Sequence, residues 1–314
     1  MRWATFATTD EPRARAGLVV DECIRAPGPA IDLIDLLGDD GTRLRDAAAR
    51  AERNPELVVP LADVHLLAPI PRPPSVRDFY AFEQHVRTAR ERRGLQMEPD
   101  WYELPVFYFS NPASIVGDGD DVAIPVGCDE LDFELEIAAV IGRDARDLDP
   151  ASAAEHIAGF TIMNDWSARD LQRREMKLNL GPAKGKDFAT TLGPYLVTSD
   201  ELSDVVSGKA YDLAMSATVN GREYSRASFA DIYWSYGEMV AYASRGAWLR
   251  AGDVVGSGTC GTGCILELAL VHGSDRFPWL APGDVVSLSI ERLGSITNRV
   301  VASNPAPDWR ASRS

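Results

Sequence analysis

Two glutamates one residue apart carry the first chemical signal in this chain. The stretch LDFELEIAAVIG (Leu131 to Gly142) alternates as a strand does, so Glu134 and Glu136 point to one face with Asp132 beside them. Phe133, Leu135 and Ile137 point the other way, into a core. Carboxylates at i and i+2 lie roughly 7 Å apart along a strand and repel unless something positive sits between them. A divalent cation is the simplest partner, because hard metals take carboxylate oxygens. Two more acids stand where elements change: Asp165, between the strand-like FTIM and Ser167, and Asp78, after a proline-rich segment. Four oxygen donors from three segments suit Mg2+, Mn2+ or Ca2+ and not zinc. A solvated acidic face with two capping acids would give the same pattern, and the residue types alone leave both readings standing.

Three other groups could do chemistry. In DFYAFEQH, Asp78 and His85 are seven apart, two turns if the segment is helical, which puts them on one face about 10 Å apart. That leaves room for water or substrate between a ligand and a general base, although an exposed helical histidine would look the same. Lysine is scarce, four against 28 arginines, yet Lys184 and Lys186 both fall in GPAKGKDF. A compact ammonium there has either a task that arginine cannot perform or no task at all. GSGTCGTGCILELAL (Gly256 to Leu270) contains G-x-G-x-x-G, but the run after it looks like a strand, whereas a dinucleotide fingerprint opens a helix. The glycines then serve to bring backbone close to a ligand. Glu267 faces away from Leu266 and Leu268, toward a site or toward water.

The elements that must position these groups follow from pattern. Residues 1–67 read as a small N-terminal α/β unit, with a strand over Ala16 to Val20 and a helix over Arg43 to Arg53. APIPRPPS (Ala68 to Ser75) is a proline-rich linker, 68–75, stiff and extended. A larger unit over 76–314 follows. In it, Ser75 or Asp78 caps a helix over Phe79 to Arg93, ended by Gly94. Strands follow at Pro105 to Phe109, Leu131 to Gly142 and Ile157 to Met163. Ser167 with Asp170, and Ser228 with Asp231, make capping-box patterns before helices over Ala168 to Lys177 and up to Ala243. Asn220-Gly221 in TVNGREY signals a hairpin, and GCILELALV, DVVSLSI and ITNRVVA read as strands. Strands in runs without regular βαβ alternation indicate an α+β fold.

Composition bounds the function. The chain has 314 residues, 45% hydrophobic and 25% charged, with a net charge of −15. That field repels phosphate backbones and anionic lipid, so neither nucleic acid nor a membrane surface is an expected partner. There is no apolar run of about 18 residues and no signal-like N-terminus. The four cysteines (Cys23, Cys128, Cys260, Cys264) complete no zinc pattern and read as reduced thiols in a cytoplasmic protein.

From about Leu67 to Ala302 the chain resembles the fumarylacetoacetate hydrolase superfamily. RDFYAFEQH, LDFELEIAAVIG, MNDWSARDLQ, GKDF followed by TT, and GSGT…GCILE occur in the family's order. The resemblance implies a rolled mixed β-sheet, usually in a homodimer, with a metal on Asp78, Glu134, Glu136 and Asp165. It implies Lys186 as the active-site lysine, Thr190 near the metal, and Tyr80 and Tyr108 as substrate contacts. Arg169 and Gln172 fall on the helix beside the site, and Gly258 and Thr259 on the loop that contacts a substrate carboxylate. His85 and Glu267 match the water-activating dyad of hydrolytic members. The implied reaction is metal-dependent hydrolysis of a C–C bond in a diketone or acylpyruvate through a stabilised enolate, with Lys186 and Gln172 at the oxyanion. Hydratases, decarboxylases and tautomerases of 2-oxo acids or hydroxydienoates use the same scaffold. Three departures set the substrate apart from fumarylacetoacetate: a shorter loop from Thr259 to Glu267, Met176 in place of a tyrosine, and Gly94 in place of an arginine, with Arg90, Arg92 and Arg93 nearby.

Overall fold

The runs of strand pattern assemble into two large sheets and two two-stranded ones with short helices around them, an α+β architecture. A computed structural model, describing residues 1–92, 94–303, 305 and 307, contains a mixed sheet of twelve strands and an antiparallel-dominated sheet of five. Across the middle of the large sheet, neighbouring strands run Thr190–Val197, Ile157–Asp165, Leu135–Ile141, Val254–Gly256, Val76–Phe79 and Phe107–Ser110. Leu135–Ile141 pairs antiparallel on both sides, while Val254–Gly256 lies parallel to Val76–Phe79.

The central strand is wholly buried, and its alternation sorts its side chains into different cores. Phe133, Leu135, Ile137, Ala139 and Ile141 join the main cluster with Met215, Leu288 and Ile296 of the smaller sheet. Ala138, on the glutamate face, packs with Val76, Met163 and Val254. The expected strand is interrupted once. Leu131–Asp132 pairs elsewhere, and the amide of Glu134 leaves the ladder to donate to Asn164 Oδ1 at 2.9 Å.

Within residues 1–67, the strand Arg15–Val20 and the helix Thr42–Arg53 form where expected. The helix buries Leu44, Ala47, Ala48 and Ala51, one stripe at i, i+3, i+4, i+7. The strand Arg2–Ala7 hydrogen-bonds to Thr190–Val197, so this segment and the 76–314 unit share one sheet. Asn220 and Gly221, both at positive φ (53° and 76°), turn the expected hairpin between Ala214–Val219 and Arg222–Ser228.

Four local expectations give way to tertiary context. The helix expected over Phe79 to Arg93 is the strand Val76–Phe79 followed by the helix Glu83–Glu91; Arg93 lies outside the described residues. All four strand residues are buried between neighbours, which hides any period of two. Asp78 therefore sits on a strand and caps no helix, and the two-turn spacing to His85 does not exist. The strand expected in GCILELALV is the helix Ile265–His272. The Ser167/Asp170 box does not form: Ser167 Oγ donates to the Asp165 carbonyl, and the Asp170 carboxylate accepts from Leu171 and Asp129 amides. Ser228 caps only the 3-10 turn Phe229–Asp231, and the capping box belongs to Ser235 and Glu238 at the helix Tyr236–Ser244.

Candidate active site

The large sheet delivers the four acids to one point. Glu134 and Glu136 come from the central strand and its lead-in, and Asp165 ends the neighbouring strand opposite Thr190. Asp78 is one strand further away on the other side and must reach across Val254–Gly256. The residue beside it in that intervening strand is Gly256, where a Cβ would come within 2.5 Å of Asp78 Oδ1. Gly258 extends the approach: its φ is +76°, a Cβ there would meet the Phe79 carbonyl oxygen at 2.4 Å, and its amide donates to Asp78 Oδ1 at 3.1 Å. One oxygen from each of Asp78, Glu134, Glu136 and Asp165 lies within 4.8 Å of the others.

Such a cluster is costly unless compensated. Lys186 supplies one positive charge, donating to Glu134 Oε2 and Asp165 Oδ2. The Tyr108 hydroxyl also donates to Asp165 Oδ2. Arg169 donates to Glu134 Oε1 at 2.7 Å, to Asp132 Oδ2 at 2.8 Å and to Gln172 Oε1 at 3.1 Å. Both oxygens of Glu136 and Oδ1 of Asp165 are buried and meet no donor among the described residues. Burial, then the Asp165 charge, pushes the Asp78 carboxyl up to about 8. Burial, then Asp78, raises Glu136 well above the usual range. Asp165 rises to about 6 through burial, restrained by Lys186. Burial would also raise Glu134, but Lys186 and Arg169 outweigh it and hold that carboxyl low. Four buried carboxylates that converge, three of their oxygens meeting no donor among the described residues, fit a hard divalent cation, as Mg2+, Mn2+ and Ca2+ are.

The His85–Glu267 pair adjoins this cluster. His85, on the helix Glu83–Glu91, shares a 2.8 Å hydrogen bond between Nδ1 and Glu267 Oε2, which also accepts the Thr262 amide at 2.9 Å. Glu267 is fixed on the helix Ile265–His272, whose first two amides are taken by one carboxylate: Ile265 and Leu266 donate to Asp132 at 2.7 and 3.0 Å. A helix does follow the G-x-G-x-x-G match, so the expected strand no longer argues against a dinucleotide; the occupied helix N-terminus does, because a phosphate needs those N–H groups free.

A cleft of about 910 Å3 opens onto both groups, lined by Asp78, Tyr80, His85, Tyr108, Glu134, Arg169, Gln172, Lys186, Gly258 and Thr259. Glu136, Asp165 and Glu267 lie behind that lining. The sequence offered Asp132 only as a neighbour of the glutamates, yet it joins the two halves of the site: it holds Arg169, which holds Glu134, and it caps the helix that carries Glu267. Its position one face-step before Glu134 is the only sequence signal of this. Asp132→Asn breaks a buried charge pair, which typically costs about 3–5 kcal/mol. The variant is expected to unfold at lower denaturant concentration and to bind Mg2+ more weakly. An unchanged midpoint and affinity would remove Asp132 from this linking role.

Four carboxylates converging beside a His–Glu pair, on a mixed sheet, define an enzyme-like site that sets the ligands of a hard cation next to a histidine paired with a carboxylate. Residues 75–301 match the family described as fumarylacetoacetate (FAA) hydrolase, C-terminal, and the chain belongs to that family. It is 31% identical over 313 residues to the fumarylacetoacetase of Oryza sativa subsp. japonica, covering 81% of this chain and 71% of the relative. It is 28% identical over 315 residues to the mitochondrial oxaloacetate tautomerase fahd2 of Xenopus laevis, covering 96% and 90%. The crystal structure of 5-carboxymethyl-2-hydroxymuconate delta-isomerase from Mycobacterium smegmatis superposes with a TM-score of 0.70 at 28% identity, covering 96% of this chain and 100% of that one. The family thus includes hydrolases, tautomerases and isomerases. Among the described residues no helix is long and apolar enough to cross a membrane.

Proposed function

We propose that the protein is a metal-dependent hydrolase that cleaves a C–C bond in a diketone or acylpyruvate-type substrate. The observation that carries this reading is the His85–Glu267 hydrogen bond at 2.8 Å beside the carboxylate cluster. Asp78, Glu134, Glu136 and Asp165 would hold Mg2+ or a similar cation. When bound, it would orient two substrate oxygens and draw electron density toward them.

The chain's own residues supply the rest. Glu267 accepts from Nδ1–H of His85, which fixes the tautomer and leaves Nε2 to take a proton from water. The hydroxide so formed adds to the carbonyl carbon. The C–C bond then breaks with its electron pair leaving on the departing fragment, tolerable because an adjacent carbonyl delocalises it. Lys186 spends two N–H bonds on Glu134 and Asp165 and would give its third to the developing oxyanion. Gln172, its carbonyl oxygen taken by Arg169, offers its NH2 to the same cleft. Tyr80, Thr259 and the Gly258 backbone would contact the remainder of the substrate, with Tyr108 and Arg169 as supports.

Tautomerisation of a 2-oxo acid is the second reading, favoured by likeness to the Xenopus tautomerase over 96% of this chain. Product analysis with acylpyruvates and oxaloacetate, under Mg2+ or Mn2+, separates the two. Hydrolysis consumes one water and yields two fragments. Keto–enol interconversion without fragments on every substrate tried would replace the hydrolytic reading with the tautomeric one.

A further inference from the structure

Beside the oxygen cluster lies a second set of buried donors with different chemistry. One ligand atom from each of His85, Glu134 and Cys264 lies within 4.8 Å of the other two. All three side chains are more than nine-tenths buried. The first cluster offers oxygen alone; this one offers nitrogen, sulfur and one oxygen, the mixture that zinc-type cations take and Mg2+ does not. We propose that His85, Glu134 and Cys264 form a second metal site, specific for Zn2+ and similar borderline-soft ions, which shares Glu134 with the four-carboxylate cluster.

Local geometry supports each ligand. Glu267 already holds His85 Nδ1, and Nε2 has no hydrogen-bond partner among the described residues. A carboxylate on the other ring nitrogen is the usual outer partner of a zinc-bound histidine. Cys264 is the N-cap of the helix Ile265–His272, its Sγ accepting the Glu267 amide at 3.5 Å. A coordinating thiol is deprotonated by the metal itself. On binding, the thiol proton passes to solvent and no electron changes hands. His85 and Glu134 line the cleft, which gives the ion its way in. Arg169 and Lys186 also hold Glu134 and oppose a second cation. A hard ion gains too little from one shared carboxylate to overcome them, whereas a zinc–thiolate bond adds a strong term. Zinc so bound would occupy the lone pair of His85 and inhibit turnover; that consequence, unlike the binding, rests on the role proposed for His85.

The test uses the full chain, stripped of metal and then kept in excess Mg2+ while Co2+ is added. One equivalent of Co2+ is expected to bind with an intense near-ultraviolet thiolate-to-cobalt band that Zn2+ abolishes. Cys264→Ser, whose hydroxyl still caps the helix, is expected to lose the band entirely. Zinc-edge X-ray absorption of the unmutated chain is expected to show one sulfur at about 2.3 Å. No band, a band that persists in Cys264→Ser, or a zinc shell of nitrogen and oxygen alone overturns the site. These readouts are spectroscopic, so failure of the hydrolytic assignment would leave them intact.

Discussion

His85→Ala is expected to bind Mg2+ as tightly as the parent and to lose about 10²–10⁴-fold in turnover on a cleavable acylpyruvate, the range that a positioned general base supplies. The reasoning is geometric. His85 touches none of the four carboxylates by hydrogen bond, and its polar partner is Glu267. Its loss removes proton abstraction without altering the cation's ligands, so kcat and kcat/KM should fall together while KM stays near its original value. Glu267→Gln leaves a hydrogen-bonding side chain but no charge to stabilise an imidazolium, and is expected to be slower than the parent and faster than His85→Ala. Because the two act as a unit, the double variant should be no worse than His85→Ala alone. Calorimetry with Mg2+ and steady-state kinetics on the same preparations check this. Full turnover in His85→Ala would mean that water is activated elsewhere, and the tautomeric reading would gain.

How far the sequence anticipates this site depends on the range of the interactions that fix it. The face shared by Glu134 and Glu136 follows from strand alternation, and Phe133, Leu135 and Ile137 do enter the main core. The Asn-Gly hairpin and the helix Thr42–Arg53 are equally local. Asp78 reads as the start of a helix because VRDF alone carries no alternation to mark a strand, and what makes it one is pairing with Val254–Gly256, about 180 residues later. The helix at Ile265–His272 is invisible for a related reason. An eight-residue apolar run does not declare its period, and much of what stabilises its first turn is Asp132, 133 residues before Ile265. Gly256 and Gly258 read as permitting close approach, but only the sheet order shows that what approaches is Asp78. The ordered motifs gathered the right residues, and long-range pairing decided what each of them touches.

Glu136→Gln is expected to abolish useful cation binding, weakening Mg2+ by more than the 10–100-fold typical of an outer partner, and at the same time to stabilise the metal-free protein above neutral pH. Glu136 is fully buried, with no donor among the described residues on either oxygen, so its charge is a cost that a cation or a proton relieves. The sign follows from linkage. Asp78, raised to about 8, Asp165, raised to about 6, and Glu136, raised well above its ordinary value, all hold protons in the folded chain that the unfolded chain releases near pH 4. The folded state therefore binds more protons between about pH 4 and 8, and metal-free stability must fall as pH rises through that window. Each proton contributes about 1.4 kcal/mol per pH unit. Glu134, held low by Lys186 and Arg169, runs the opposite way, but its contribution levels off just above the ordinary glutamate range, at the lower edge of this window. Excess Mg2+ replaces those protons and should flatten or reverse the slope in the parent. In Glu136→Gln one proton disappears from the balance, so the metal-free slope should be shallower and Mg2+ should no longer change it. Denaturant unfolding at several pH values, with and without Mg2+, measures all of these at once. A metal-free parent whose stability climbs from pH 5 to 8 would show that these carboxylates already have a partner in solution, and the case for a cation among them would lose its physical ground.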